Sequence, residues 1–240
     1  MDVRAAVLTA PGKYEVQDFP YPELQDGALL MQIEMSGICG TDKHTYLGEV
    51  KQYAGTAAET DTPFPIIQGH ENVGVVSEIT PKAAESLEFY GRRLKVGDRI
   101  TMCPDIVCGS CYECTHVMGY VWCENSDCYG NSYSCADPPH LMGGWAEQMY
   151  IRPDTFVYKV PSGLSPRVAV LAELMACTAS LDKLKEFSSY AGRCLRCWPR
   201  RSRNGRPRRL RSGSLTRRRL KKSPHPLGDT VGTPRDLQGV

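Results

Sequence analysis

Four cysteines fall within sixteen residues, in "CGSCYECTHVMGYVWC", at Cys108, Cys111, Cys114 and Cys123. No other stretch restricts the fold so strongly. The spacing, C-x2-C-x2-C-x8-C, lets a single loop wrap one tetrahedral ion with four thiolates about 2.3 Å from it. Four protein ligands leave no open coordination position, so the ion expected there is a structural zinc. Binding it would also fold a segment that has little apolar periodicity of its own. Cys128 and Cys135 stand close enough in sequence to replace Cys123, and Cys103 reads as a packed or loop thiol. The chain has eleven cysteines. No opening apolar stretch resembles a signal peptide, and no window approaches the apolar length of a membrane span, so a soluble cytoplasmic protein is expected. Disulfides are rare in that compartment, which favours metal binding for clustered cysteines.

The chain around this lobe reads as short strands. "VRAAVLTA" (3–10) and "YEVQDF" (14–19) flank the turn signal Pro11-Gly12. "GALLMQIEMSGIC" (27–39) alternates apolar and polar positions in its second half. "NVGVVSEI" (72–79) carries an internal glycine, the mark of a bulge or a close backbone approach. "GDRITM" (97–102), "WAEQMYI" (145–151) and "FVYKV" (156–160) complete the set, and residues 48–65 read as a long surface loop. Many short strands joined by Gly and Pro turns indicate a barrel or a sandwich. The period then changes. In "SPRVAVLAELMACTASLDKLKEF" (165–187), Ser165 and Pro166 are helix-start residues. Val168, Leu171, Leu174 and Met175 recur at helical spacing.

Residues 191–240 differ in kind. They hold fifteen Lys and Arg against two Asp, which leaves fourteen basic and twenty-five acidic residues before them. The tail contains no Ile and no Phe. Such a composition cannot bury enough apolar surface to offset chain entropy, so disorder is expected. Arginine runs attract phosphates. Trp198 stands alone, without the aromatic interleaving of a stacking platform, and "CLRC" (194–197) is a weak metal signal. A nucleic-acid partner is therefore the lesser reading.

Two further pieces, "GICGTDKH" (37–44) and "GHENVG" (69–74), pair a cysteine and a histidine with carboxylates and glycines. They are followed in order by the cysteine lobe, "GGWAEQMYI" and "VPSGLS…AVLAELMACTAS". This series resembles the zinc-dependent alcohol and polyol dehydrogenases of the medium-chain superfamily, over residues 1 to about 190. The resemblance implies a mainly β fold: a GroES-like β-barrel catalytic domain (1–165) with its zinc lobe, then a helix (166–190) leading toward an α/β Rossmann domain. It also implies a second, catalytic zinc. Cys39 and His70 match the first two ligands, and Glu71 or Glu173, in alternation, matches the third. The simple alcohol branch uses two cysteines and a histidine. This chain departs from that set, so the sorbitol- or threonine-dehydrogenase-like branch is favoured, with Cys177 as the rival ligand. By the same carry-over Thr41 accepts the proton of the alcohol, His44 passes it toward solvent, and Asp42 orients the ligand histidine. Helix capping by Thr41 and simple surface exposure of His44 are the competing readings.

The implied reaction is oxidation of a small alcohol or polyol. Zinc lowers the pKa of a bound hydroxyl, as it lowers that of water from about 15.7 to about 7. Hydride then passes to NAD or NADP. The family's nucleotide domain opens on a strand and a Gly-rich turn such as G-x-G-x-x-G. No such turn follows Phe187, where the Arg-rich tail stands instead. A change of reading frame near residues 190–193 is the expected reason. A zinc-binding remnant without redox activity is the alternative function.

Overall fold

A computed structural model describes residues 2–179, apart from positions 50, 53–54, 56–58, 118–122 and 124. The tail, and the part of the expected helix beyond Ala179, lie outside the described residues.

Strands β1 (Asp2–Ala10) and β2 (Lys13–Pro20) form an antiparallel hairpin across Pro11-Gly12. Gly12 has φ +75°, a conformation a side chain resists. On β1, Val3, Ala5 and Val7 are buried while Asp2 and Arg4 face solvent, the period of a sheet with one wet face. β3 (Leu29–Ser36) leads into α1 (Gly40–Tyr46). Within the surface loop, β4 (Lys51–Gln52) pairs with β5 (Thr60–Asp61). β6 (Ile66–Ile67) adds to β1. β7 (Asn72–Ile79) is followed by α2 (Pro81–Ser86), whose first turn is capped by the hydroxyl of Thr80. β8 (Arg99–Met102) and β9 (Asp105–Ile106) precede the cysteine lobe, and β10 (Asp127–Cys128) pairs back onto β9. β11 (Gln148–Ile151) and β12 (Val157–Lys159) come next, then α3 (Pro166–Ala169) and α4 (Ala172–Ala179).

The main sheet runs β11-β3-β7-β8-β12, and a second sheet runs β2-β1-β6. Their inner faces share one apolar core that includes Val7, Leu29, Leu30, Met31, Ile67, Val76, Ile100, Leu141 and Met149. The glycine inside β7 has the expected cause. A Cβ on Gly74 would sit 2.2 Å from the carbonyl oxygen of Gln32, so only glycine lets β3 and β7 approach there.

Two expectations are corrected. The strands do not close into a barrel among the described residues. β6 is two residues long, and an isolated bridge, Ala5 to Ala146, links β1 toward the β11 side. The expected single helix is broken at Val170–Leu171 into α3 and α4. Ala169 and Val170 bury against Val73, whereas Val168, Leu171, Leu174 and Met175 are 44–60% exposed. Seating Val170 on the sheet outweighs continuing the periodic face, which is left uncovered by the described residues.

Candidate metal centres

The segments 37–42 and 69–71 meet because backbone contacts fasten them. The N–H of Gly37 donates to the carbonyl of Glu71 at 2.7 Å. The Trp145 indole donates to the carbonyl of Gly37 at 3.2 Å. Gly69, at φ +95°, leaves the space that the same indole fills: a Cβ there would lie 2.5 Å from Trp145 Cδ1. The turn is thereby free to present His70 toward α1. A Cβ on Gly37 would lie 2.0 Å from Glu71 Oε2, so the glutamate side chain folds over the glycine.

Cys39 is the N-cap residue of α1. Its N–H donates to Asp42 Oδ2 at 2.8 Å, which turns the start of the helix. One ligand-type atom each from Cys39, His70 and Glu71 lies within 4.8 Å of the others. Ligands around a tetrahedral zinc stand about 3.4–3.8 Å apart, given metal–ligand bonds of about 2.0–2.3 Å. A modest contraction would thus complete a site. Asp42 is 1% exposed, and its Oδ1 lies 3.9 Å from Nδ1 of the buried His70, neither atom having a hydrogen-bond partner. Nδ1 is thus turned toward the carboxylate, leaving Nε2 as the ring nitrogen for an ion. One thiolate, one imidazole and one carboxylate suit zinc and leave a fourth position open.

The other expected residues surround this point. Thr41 is half-buried, with Oγ1 3.9 Å from Cys39 Sγ. His44 is exposed, and its Nδ1 is 2.8 Å from Glu49 Oε2. Glu173 and Cys177 lie on α4, outside the three-residue group, and the Cys177 thiol donates to Glu173 Oε1 at 3.1 Å. That hydrogen bond, with burial, pushes the Cys177 thiol up to about 11. Burial pushes the packed Cys103 up to about 12. Asp105 was not singled out in the sequence. Burial raises its carboxyl, while Cys128 and the nearby His70 oppose the rise. Its place in "CPDIVCGSC", just before the first lobe cysteine, was the available signal.

In the lobe, the sulfurs of Cys108, Cys111, Cys114 and Cys123 lie within 4.8 Å of one another. The N–H of Cys111 donates to Cys108 Sγ at 3.3 Å, and the N–H of Cys108 donates to Cys123 Sγ at 3.4 Å. Such bonds favour thiolate, the form a metal binds. The N–H and hydroxyl of Ser110, with the N–H of Cys111, bring the Cys108 thiol down to about 5. Burial and the neighbouring sulfurs raise Cys114 to about 12. A π-helical turn (Glu113–Val117) carries Cys114. Cys128 and Cys135 are buried away from this group, and Cys128 accepts from Asn131 Nδ2 at 3.4 Å. Both donor sets fit zinc.

Comparison with known proteins shows the family. The family model of the alcohol dehydrogenase GroES-like domain matches residues 25–162. A protein of Mycobacterium tuberculosis named probable alcohol dehydrogenase is 36% identical over 175 residues, covering 70% of this chain and 42% of that protein. One of Arthroderma otae named probable D-xylulose reductase A is 30% identical over 182 residues, covering 75% and 44%. The crystal structure of an alcohol dehydrogenase from Thermotoga maritima matches with a TM-score of 0.63 at 30% identity, covering 72% and 44%. The chain thus spans less than half the length of these relatives. Among the described residues no helix is long and apolar enough to cross a membrane.

Proposed function

This chain belongs to the alcohol dehydrogenase family built on a GroES-like domain, and on that premise we propose that it carries the metal-binding half of a zinc-dependent oxidoreductase acting on a secondary alcohol or polyol. The meeting of Cys39, His70 and Glu71 within 4.8 Å carries the reading. A zinc held there supplies a lowered pKa for a bound hydroxyl. The protein's own residues do the rest. Asp42 faces Nδ1 of His70, which leaves Nε2 toward the ion. Thr41, half-buried beside Cys39, would take the hydroxyl proton while giving up its own toward His44. His44, three residues further along α1 and exposed, passes it to solvent. Glu71 would be the carboxylate ligand, and Glu173 on α4 the carboxylate to exchange with it.

A carboxylate ligand and a relative named D-xylulose reductase favour a polyhydroxylated substrate. The second zinc, on Cys108, Cys111, Cys114 and Cys123, holds the lobe. The family's nicotinamide, NAD or NADP, is the expected hydride acceptor, and no residue of this chain is assigned to it.

Metal analysis of the purified chain, with alcohol-dependent reduction of NAD and NADP, tests the reading. About two zinc per chain, falling to about one in Cys39→Ser, supports the metal centre. One zinc in the unaltered chain overturns it. Two zinc with no reduction of either nucleotide leaves a zinc protein without redox activity of its own.

A further inference from the structure

Gln68 is fully buried, two residues before His70 and directly after Ile66 and Ile67 of the apolar core. A buried amide is costly unless its groups are paired, and an aliphatic residue would extend the core without that cost. Both ends of this amide are paired. Tyr14 on β2 donates its hydroxyl to Gln68 Oε1. Gln68 Nε2 donates to the backbone carbonyl of Asp42 on α1 at 3.3 Å. The carbonyl of Gln68 itself accepts from Trp145 N–H at 3.0 Å.

We propose that Tyr14 and Gln68 are positioning residues for the Cys39–His70–Glu71 centre: together they fix α1 so that Asp42 stays opposite His70. The proposal rests on the metal-centre reading above. The Tyr14 ring stacks on Tyr46 at the far end of α1, with centroids 5.6 Å apart and planes 9° apart. It also lies 5.7 Å from the Trp145 ring, which packs beneath Gly69. One side chain therefore touches both the helix that carries Asp42 and the wall behind His70. The Asp42–His70 separation of 3.9 Å is about 0.7 Å beyond the usual hydrogen-bond range, so displacements of α1 of under about an ångström decide whether it forms. Oriented this way, the amide gives its N–H to the one carbonyl that α1 presents to it. An aliphatic replacement would leave that carbonyl to its helical partner and free the helix to shift.

Tyr14→Phe separates this role from simple packing, because phenylalanine keeps both ring contacts and loses only the hydroxyl. Chelator competition on the full chain reads zinc loss from each centre. The catalytic phase is the one absent in Cys39→Ser, and the lobe zinc serves as internal reference. Tyr14→Phe should weaken the catalytic centre several-fold, and Gln68→Leu by about tenfold or more, the range seen when groups orienting a metal ligand are lost. Lobe affinity should stay unchanged. Cobalt substitution gives a second readout: the visible band of the catalytic centre should shift in both variants. The proposal is overturned if both variants leave catalytic affinity within twofold, or if both centres weaken in step with the melting temperature. An unaltered chain that holds only the lobe zinc overturns the centre and the clamp together.

Discussion

Nδ1 of His70 and Oδ1 of Asp42 face each other at 3.9 Å inside the protein, and neither has a hydrogen-bond partner. The carboxylate accepts through Oδ2 from the Cys39 N–H, which leaves its second oxygen facing the imidazole. Asp42→Asn keeps the shape and can keep the Cys39 bond through its oxygen. It then turns an N–H toward Nδ1. That donor favours the tautomer protonated on Nε2, the nitrogen an ion needs. Zinc affinity at this centre should fall by roughly 10–100-fold. Chelator competition against the lobe zinc measures it, and an unchanged catalytic phase would refute the orientation argued for His70.

Zinc binding to the cysteine lobe should release protons in a pattern set by the thiols. Cys108 sits near about 5, so it is already thiolate at neutral pH. Cys114 is raised to about 12, and burial also raises Cys123 above its ordinary value, so both are thiols there. An ion must displace those protons, and affinity must therefore rise with pH. Between pH 6 and 8, Cys114 and Cys123 together give a slope of at least about two decades per pH unit, and Cys108 adds nothing. Calorimetry of zinc binding in buffers of different ionisation heat counts the protons. Release of fewer than two at pH 7 would contradict the assignment.

The candidate ligands are more legible in the sequence than the architecture is. Cys108, Cys111 and Cys114 recur at a fixed interval that few other constraints impose. The Cys39 and His70 motifs are short and glycine-flanked, so each was visible locally. What brings them together was not visible. Gly37 pairs with Glu71, and Trp145 fills the place of a Gly69 side chain; these are contacts between residues far apart in sequence. Gln68 looked like one polar residue at the end of an apolar run, because its partners Tyr14 and Asp42 are distant. The strands of β1, β2 and β7 followed from alternation and turns. Closure into a barrel depends on edge pairing, which no single strand encodes. The helix pattern at 165–187 misled because its exposed face is the apolar one, and a hydrophobic stripe carries no record of what covers it.

Gly37 and Gly143 should respond differently to alanine. A Cβ at Gly143 would lie 1.9 Å from the carbonyl oxygen of Ile67, a backbone atom that cannot move without disturbing β6. A Cβ at Gly37 meets the Glu71 carboxylate at 2.0 Å and its Cβ at 2.9 Å, mostly the mobile end of a side chain. Gly143→Ala should therefore lower the melting temperature by several degrees or prevent folding, a cost of about 1–3 kcal/mol or more. Gly37→Ala should keep most of the stability and displace Glu71, weakening zinc at the catalytic centre alone. Thermal melts paired with zinc analysis distinguish the two. Equal loss of stability in both variants would mean that Glu71 is held by packing rather than kept free for an ion.

Glu88 should set the acid stability of the β12 edge. Its side chain is 1% exposed. It accepts from Arg92 Nε at 2.8 Å and from the backbone N–H groups of Tyr90 and Arg92 at 2.8 and 3.0 Å. A longer bond from the N–H of Lys159, at 3.4 Å, ties it to β12, where Glu88 also bridges Val157. Burial by itself would raise this carboxyl. The Arg92 guanidinium and the converging N–H groups outweigh burial and hold it below its ordinary value. A carboxylate depressed on folding stabilises above its unfolded pKa of about 4.3, and that contribution is lost as pH falls through the lower folded value. Glu88→Gln keeps the size and removes the charge, and should cost about 1–3 kcal/mol at pH 7. The gap between the unaltered chain and the variant should hold from pH 7 to about 5, then narrow steadily toward pH 3. Urea unfolding at fixed metal occupancy across that range tests it. A gap that persists undiminished at pH 3 would place the stabilisation in side-chain packing and not in the buried charge.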